Sequence, residues 1–125
     1  MAEEVEQLKY WQGLKTQAEN GELRVEPDLG NALIARCDTM LAALDGMLRQ
    51  AENLQYVSGF GTLKSAEALA KKFANKAVGD EDSAYARIEQ SIDIVNTMKQ
   101  TYQLAIRTLT ETDQAIGDQL GRTGQ

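Results

Sequence analysis

The chain has 125 residues, a formal net charge of -6, 42% hydrophobic and 6% aromatic residues, and no histidine. This length is enough for one hydrophobic core, and the negative charge argues against nucleic acid or anionic lipid as the main partner. Without histidine the chain lacks the usual proton shuttle near neutral pH and the commonest transition-metal ligand. We therefore expect no metal, no cofactor and no small-molecule ligand.

The first twenty residues predict an N-terminal helix, over about residues 2–18. A rough apolar stripe supports it, formed by Val5, Leu8, Trp11 and Leu14. Gly21 follows, in the position where helices often end. The segment up to Pro27 then indicates an extended connector, because a residue before proline is disfavoured in the helical region and proline suits a first helical position. A second helix is expected to begin near Pro27.

That second helix is predicted to reach about residue 56, because apolar residues recur at steps of three and four. They are Leu33, Cys37, Met40, Leu44, Met47, Ala51 and Leu54. Cys37 is the only cysteine and lies on this stripe, so we predict a small core residue rather than a reactive thiol. The helix should end before Gly59, Phe60 and Gly61, where two glycines permit a tight hairpin turn around an aromatic ring.

A third, shorter helix is predicted over about residues 63–78 and is ended by Gly79. Asp80, Asp82 and Ser83 are candidates for the N-cap of the next helix. That last helix should run to about residue 119, roughly 55 Å at 1.5 Å per residue, before a frayed tail at 121–125. Its apolar stripe consists of Tyr85, Ile88, Ile92, Val95, Tyr102, Ile106, Leu109, Ile116 and Leu120.

Two charged residues, Lys99 and Asp113, interrupt this last stripe. Each either sets register or partner choice, or lies at the edge of the stripe with its charge in water. Three apolar residues flank the stripe: Ile94, Met98 and Leu104. They form either a surface for a partner or for self-association, or the remainder of the intramolecular core.

Two long apolar stripes must cover each other or a partner. We therefore predict an all-α single domain over residues 1–125, an elongated four-helix bundle dominated by a long antiparallel helical hairpin. Residues 27–120 would form the hairpin and the bundle core.

Several short motifs together resemble the WXG-type helical hairpins of actinobacterial type VII (ESX) secretion and their longer relatives. The connector at residues 23–28 is similar to the Val-Asp-Pro lead-in of such proteins, and Gly59-Phe60-Gly61 occupies the place of their Trp-x-Gly turn. Trp11-Gln12-Gly13 spells that triplet but falls inside the first helix. The Tyr-x-x-x-Asp/Glu secretion signal has two imperfect counterparts: Tyr85 with Glu89, and Leu109 with Asp113.

This resemblance implies a non-enzymatic interaction protein that is a secretion substrate or a secretion-associated partner. It would be cytoplasmic, or secreted without a cleaved signal peptide, and would bind a helical protein or form a homodimer. The alternative is a cytoplasmic helical adaptor or self-assembling coiled coil unrelated to secretion. The sequence has no run of about 18 apolar residues, so we predict no membrane span. Its acidic start is unlike a signal peptide.

An enzyme or carrier is the remaining alternative. Asp82-Ser83-Ala84 is similar to the Asp-Ser-Leu of acyl carrier proteins, but helix capping accounts for these residues equally well. The acidic groups around Glu26 and Asp80 lack calcium-loop spacing. Without histidine no Ser-His-Asp type of triad can be assembled, and no motif indicates the rarer Ser-Lys arrangement. We expect no catalytic activity.

Overall fold

The computed structural model describes the backbone of residues 2–54, 56 and 64–123, and the side chains of those residues from 3 to 107. Its helices are α1 (Ala2–Glu19), α2 (Pro27–Leu54), α3 (Lys64–Ala74) and α4 (Ala84–Thr123), with a π-helical turn (Asn75–Gly79) directly after α3. No strand occurs in these described segments, so the predicted all-α class is confirmed. None of their helices is long and apolar enough to cross a membrane.

The predicted end of α1 is confirmed at Gly21, which has a φ of 78°. Its N–H donates to the carbonyl of Ala18 at 3.2 Å, and the N–H of Glu22 donates to the carbonyl of Gln17 at 2.8 Å. This pair of bonds is a Schellman motif, which needs a left-handed residue that glycine adopts without steric cost. The chain therefore leaves α1 in a fixed direction.

The second helix begins at Pro27, as the sequence predicted, and Glu26 caps it. The two carboxylate oxygens of Glu26 accept the backbone N–H groups of Asp28 and Leu29, at 3.2 and 3.1 Å. These donors have no partner inside the helix, so an acceptor at this position stabilises the helix start. The connector thus ends in a defined cap.

Regular α-helix in the third element ends at Ala74, four residues short of the predicted end, and the chain continues as the π turn. A Cβ at Gly79 would lie 2.8 Å from the side-chain oxygen of Asn75. The side chain of Asn75 would have to move to admit a Cβ there, and the turn itself is closed by the N–H of Asp80, which donates to the carbonyl of Asn75 at 2.9 Å. Ser83, one of the three predicted caps, then accepts the N–H of Ala86 at 3.2 Å and begins α4.

Helix α2 runs antiparallel to α4. At one end of the pair, the backbone at Gly30 lies against the side chain of Ile106. Further along, Asp38 pairs with Lys99, and near the other end the carboxylate of Glu52 is close enough to Tyr85 to raise the pKa of its hydroxyl. Residue numbers fall on α4 as they rise on α2, so the two helices are antiparallel over most of α2. The predicted four-helix bundle stays a prediction.

Helix α1 runs parallel to α4. Glu4 near its start pairs with Arg87 at 3.0 Å, and Trp11 packs edge to face on Tyr102 with ring centroids 5.7 Å apart. Among the described residues, α1 and α2 each pack extensively along α4, whereas their packing on each other is marginal at most. Helix α3 reaches α2 and α4 mainly through the π turn.

The buried core in this part of the chain consists mostly of small side chains. The buried apolar residues are Ala18, Cys37, Ala51, Ala77, Ile94, Val95 and Ala105. Several larger apolar residues instead remain exposed, including Leu29, Met40, Met47, Leu69 and Phe73. Single exposed apolar residues are normal on a protein surface, but neighbouring ones indicate an interaction site.

Candidate interaction site

The two helices that flank α4 leave an apolar groove between them, which we call the interhelical groove. Its floor is formed by Ser91, Ile94, Val95 and Met98 of α4, and its walls by Gln7 of α1 and by Met40 and Leu44 of α2. The groove has a volume of about 250 Å³. It exists because α1 and α2 contact α4 along different faces.

Helical periodicity aligns the groove residues. Ile94 and Met98 are four residues apart, as are Met40 and Leu44, so each pair lies on one face of its helix. Ile94 and Val95 are 6% and 3% exposed and form a fixed floor, whereas Met40 is 47% exposed. Met47 is also exposed and continues the Met40 row two turns further along α2. Flexible methionine side chains let such a surface adapt to the shape of a partner.

The polar atoms of the groove do not suggest a reaction centre. The hydroxyl of Ser91 donates to the carbonyl of Arg87 at 3.0 Å, so its proton is already used within α4. Gln7 supplies a neutral amide at the α1 wall. An apolar groove between two helices suits the large apolar side chains of a partner helix, spaced three or four residues apart.

An acidic edge adjoins the groove on α1. Glu3, Glu6 and Tyr10 are exposed and share a hollow of about 520 Å³ with Gln7 and Trp11. Gln7 belongs to both the hollow and the groove, so the two surfaces are continuous. We call Glu3 and Glu6 the acidic edge.

A second exposed apolar surface, the α3 patch, consists of Leu69 and Phe73. These residues are 43% and 49% exposed, and they line a hollow of about 460 Å³ with Lys72, Asn75, Lys76 and Asp80. They are four residues apart and therefore lie on one face of α3. The patch is apolar and is bordered by two lysines and one aspartate, Asp80.

The three residues predicted to flank the α4 stripe do not form one surface. Ile94 and Met98 lie together in the groove, with Ile94 buried and Met98 half-buried. Leu104 is half-buried in a separate hollow, beside Lys15 and Glu19 of α1. The sequence left two alternatives for Ile94, a partner surface or the intramolecular core. Its burial agrees with the second, the core position.

Of the two predicted secretion-signal segments, the structure describes the side chains of the first, Tyr85 with Glu89. Tyr85 is half-buried and faces α2, and Glu89 is exposed one turn later. Burial raises the pKa of the Tyr85 hydroxyl, and so do the neighbouring carboxylates of Glu89 and Glu52 and a hydrogen bond to Glu52. The side chains of Leu109 and Asp113, and the predicted turn at Gly59, Phe60 and Gly61, lie outside the described residues.

Ser83 and Cys37 are both inaccessible. Ser83 is fully buried as the cap of α4, whereas a serine that carries a prosthetic arm must reach solvent and a modifying enzyme. Cys37 is 2% exposed, which confirms its predicted core position. No group of three or more metal-ligating side chains comes together in the described part of the chain.

Sequence reasoning missed the open groove and the α3 patch. Met40 and Met47 were assigned to an apolar stripe, but periodicity alone does not distinguish the centre of a stripe from its exposed margin. The seven-residue spacing of Met40 and Met47 was the available signal, since it places both on the same margin. Leu69 and Phe73 share the four-residue spacing of a small apolar patch.

Comparison of the chain with protein-family models, curated proteins and solved structures finds no match.

Proposed function

We propose that this protein is a non-enzymatic helical interaction protein that binds a partner helix in the interhelical groove. The observation that carries the proposal is the open apolar surface between α1 and α2, where Met40 and Met98 face a groove floored by buried Ile94 and Val95. A helix seated there would pack against α1, α2 and α4. Its apolar anchors would cover side chains that water now reaches.

The proposal is tested by placing a charge in the groove. Met40→Glu should abolish partner binding, because an unpaired carboxylate would be buried against Ile94 and Val95. Leu29→Glu is the matched control, since Leu29 is an exposed residue of the same helix that does not line the groove. Proteins cross-linked to each variant in its host, together with the oligomeric state of the purified chain, provide the readout.

We expect one helical partner, or a second copy, to be retained by the unaltered chain and by Leu29→Glu but lost with Met40→Glu. Circular dichroism should show the same helix content in all three proteins. Equal binding by the three folded proteins would overturn the proposal.

We further propose that this binding serves type VII secretion, as the protein's own export or as assistance to another substrate. The support is the sequence resemblance in the connector before Pro27 and in the Tyr85 and Glu89 pair. If the protein is a substrate, it should appear in culture filtrate of its host and be retained in the cell after loss of the secretion ATPase.

Substitutions test which segment directs export. Tyr85→Ala and Asp113→Ala should each be compared with the unaltered chain for export, with cellular levels of the protein as the control for stability. Absence from the filtrate and unchanged secretion of other substrates in a deletion strain would favour the alternative, a cytoplasmic helical adaptor.

A further inference from the structure

We propose that the interhelical groove accepts the α3 patch of a second copy of this chain, so that two copies form a symmetric dimer by reciprocal docking. The inference rests on the proposed function, since it uses the same groove, and it names the occupant. Three features of the described residues support it: the shape of α3, the distribution of charge, and the position of the two surfaces.

The first feature is that α3 has one apolar face whose two margins differ in residue size and exposure. Small residues, Ala66, Ala70 and Ala74, are half-buried along one side of the helix. Leu69 and Phe73 remain exposed on the α3 patch. A pair of large anchors four residues apart is the arrangement by which a helix inserts into an apolar groove.

The second feature is charge complementarity. The chain carries a net charge of -6, but α3 and the π turn contain four lysines and one glutamate. Lys72 and Lys76 border the α3 patch, whereas Glu3 and Glu6 form the acidic edge beside the groove. At the α3 patch the two lysines outnumber the one acidic residue, Asp80, so the patch is complementary in charge to the acidic edge on the α1 side of the groove. This complementarity favours their association.

The third feature is that both surfaces lie at the same end of the molecule. The π turn ends four residues before α4 begins, and the groove floor starts at Ser91, about 10 Å along α4 from Ala84. Glu4 is anchored at this end by its ion pair with Arg87. Two copies that meet through this end can exchange their α3 patches about a two-fold axis, which closes the assembly at a dimer.

Charge reversal provides the decisive experiment. The double variants Glu3→Lys/Glu6→Lys and Lys72→Glu/Lys76→Glu each place like charges across both contacts of the homodimer. Mixed together, they place opposite charges across both contacts. We expect each variant alone to be monomeric by light scattering after size-exclusion chromatography, and the equimolar mixture to form a heterodimer.

Apolar substitutions test the same contact from both sides. Phe73→Glu and Met40→Glu should each weaken dimerisation by about tenfold or more, as expected for a charge placed in a desolvated interface. Leu29→Glu should leave it unchanged. Circular dichroism and thermal unfolding of each variant identify any loss of fold, and in that case the charge-reversal pair decides.

The outcomes separate this inference from the proposed function. A monomeric unaltered chain whose groove binds a different helical protein, with loss in Met40→Glu, would overturn the reciprocal dimer and leave the proposed function standing. A dimer that is insensitive to Met40→Glu, Phe73→Glu and charge reversal would overturn the inference as well. The proposed function itself would be overturned if the groove substitutions changed neither self-association nor the binding of any partner.

Discussion

Lys99 of α4 places its ammonium nitrogen 2.6 Å from a carboxylate oxygen of Asp38 on α2. This lysine interrupts the apolar stripe of α4, and the structure shows that it spans the interface between the two longest helices. Its side chain is 31% exposed and that of Asp38 is 54% exposed. The pair therefore bridges α4 and α2 at the border of the core, where water still reaches both charges.

We expect this ion pair to contribute little to stability. Exposed pairs of this type are worth about 0.2–1 kcal/mol, and salt screens them. A double-mutant cycle with Asp38→Asn and Lys99→Met, measured by denaturant unfolding, should give a coupling energy in that range that falls as salt is added. A salt-independent coupling above about 2 kcal/mol would show instead that the pair behaves as a buried one.

Two glycines in helices should respond in opposite directions to alanine. A Cβ at Gly13 meets no atom within 4 Å, so Gly13→Ala should stabilise the protein by about 0.5–1 kcal/mol through reduced entropy of the unfolded chain. A Cβ at Gly30 would lie 2.5 Å from Cγ1 of Ile106 and 3.4 Å from Cγ1 of Val25. Gly30→Ala should therefore destabilise the protein, by roughly 1–3 kcal/mol.

Thermal and denaturant unfolding of both variants check this pair of predictions. Gly46→Ala is a second positive control, since a Cβ there also meets nothing within 4 Å. Stabilisation by Gly30→Ala would contradict the close approach of α2 and α4 at this point.

Removal of the Ser83 hydroxyl should destabilise α4. Its oxygen accepts the N–H of Ala86 in a fully buried position, so Ser83→Ala leaves that donor without its acceptor. The expected cost is about 1 kcal/mol, within the range measured for N-caps. Ser91→Ala is the matched control, because the Ser91 hydroxyl bonds only to a carbonyl already inside α4.

That control should change the free energy of unfolding by less than the cap variant does. An intact mass of protein purified from its host adds a second readout at Ser83. A phosphopantetheine adduct there would contradict the buried cap and revive the carrier alternative.

The thiol of Cys37 should be inert in the folded protein. Burial raises its pKa, the neighbouring Asp38 carboxylate raises it further, and Lys99 partly offsets both effects. At mildly alkaline pH the folded chain therefore holds less thiolate than a free cysteine, and the sulfur is also shielded from reagent. Reaction with an aromatic disulfide reagent should be at least about tenfold slower in buffer than in denaturant.

The same shift predicts a pH dependence of stability. As the pH rises through the ordinary thiol value of about 8.5, the unfolded chain loses its proton while the folded chain retains it. The free energy of unfolding should then fall with rising pH, and Cys37→Ala should remove this part of the slope. Equal thiol reactivity in folded and unfolded protein would contradict the core position of Cys37.

Much of the helical framework could be predicted because its signals are local. Pro27 marks the start of α2, Gly21 permits the turn that ends α1, and a short polar residue before Ala84 caps α4. Each depends on backbone geometry within a few residues. The π turn was missed because it is defined by a backbone hydrogen bond from Asp80 to Asn75, five residues apart, which hydrophobic periodicity does not distinguish from a regular helical turn.

The groove could not be predicted from periodicity, because it depends on the angle between two helices packed on a third. Helix α4 carries more than one buried row: Val95 lies on the predicted stripe, whereas Ile94, Thr101 and Ala105 lie beside it. Thr101 is fully buried, and its hydroxyl donates to the carbonyl of Thr97 at 2.7 Å, so its burial leaves no hydroxyl without a partner. A threonine whose hydroxyl is hydrogen-bonded within its own helix presents only its methyl group to the neighbouring helices. Hydrophobic patterning nevertheless counts threonine as a polar residue.

The contact between Trp11 and Tyr102 should hold α1 on α4. The rings meet edge to face at an interplanar angle of 74°, and such pairs contribute about 0.5–1.5 kcal/mol beyond the area that they bury. Trp11→Leu should therefore lower the free energy of unfolding by at least that amount. Tyr10→Leu is the comparison, since it removes the other edge-to-face contact of Trp11, with the exposed Tyr10 beside it on α1 at 5.9 Å between ring centroids, and so separates a contact within α1 from the contact to α4.

Because Trp11 is the only tryptophan in the chain, its fluorescence reports on the docking of α1 directly. In the unaltered protein the fluorescence transition should coincide with loss of helix measured by circular dichroism, since α1 has no other extensive packing partner among the described helices. A fluorescence transition at lower denaturant would show that α1 leaves α4 first. In that case the release of α1 would remove the α1 wall of the interhelical groove while the α2 wall is still in place.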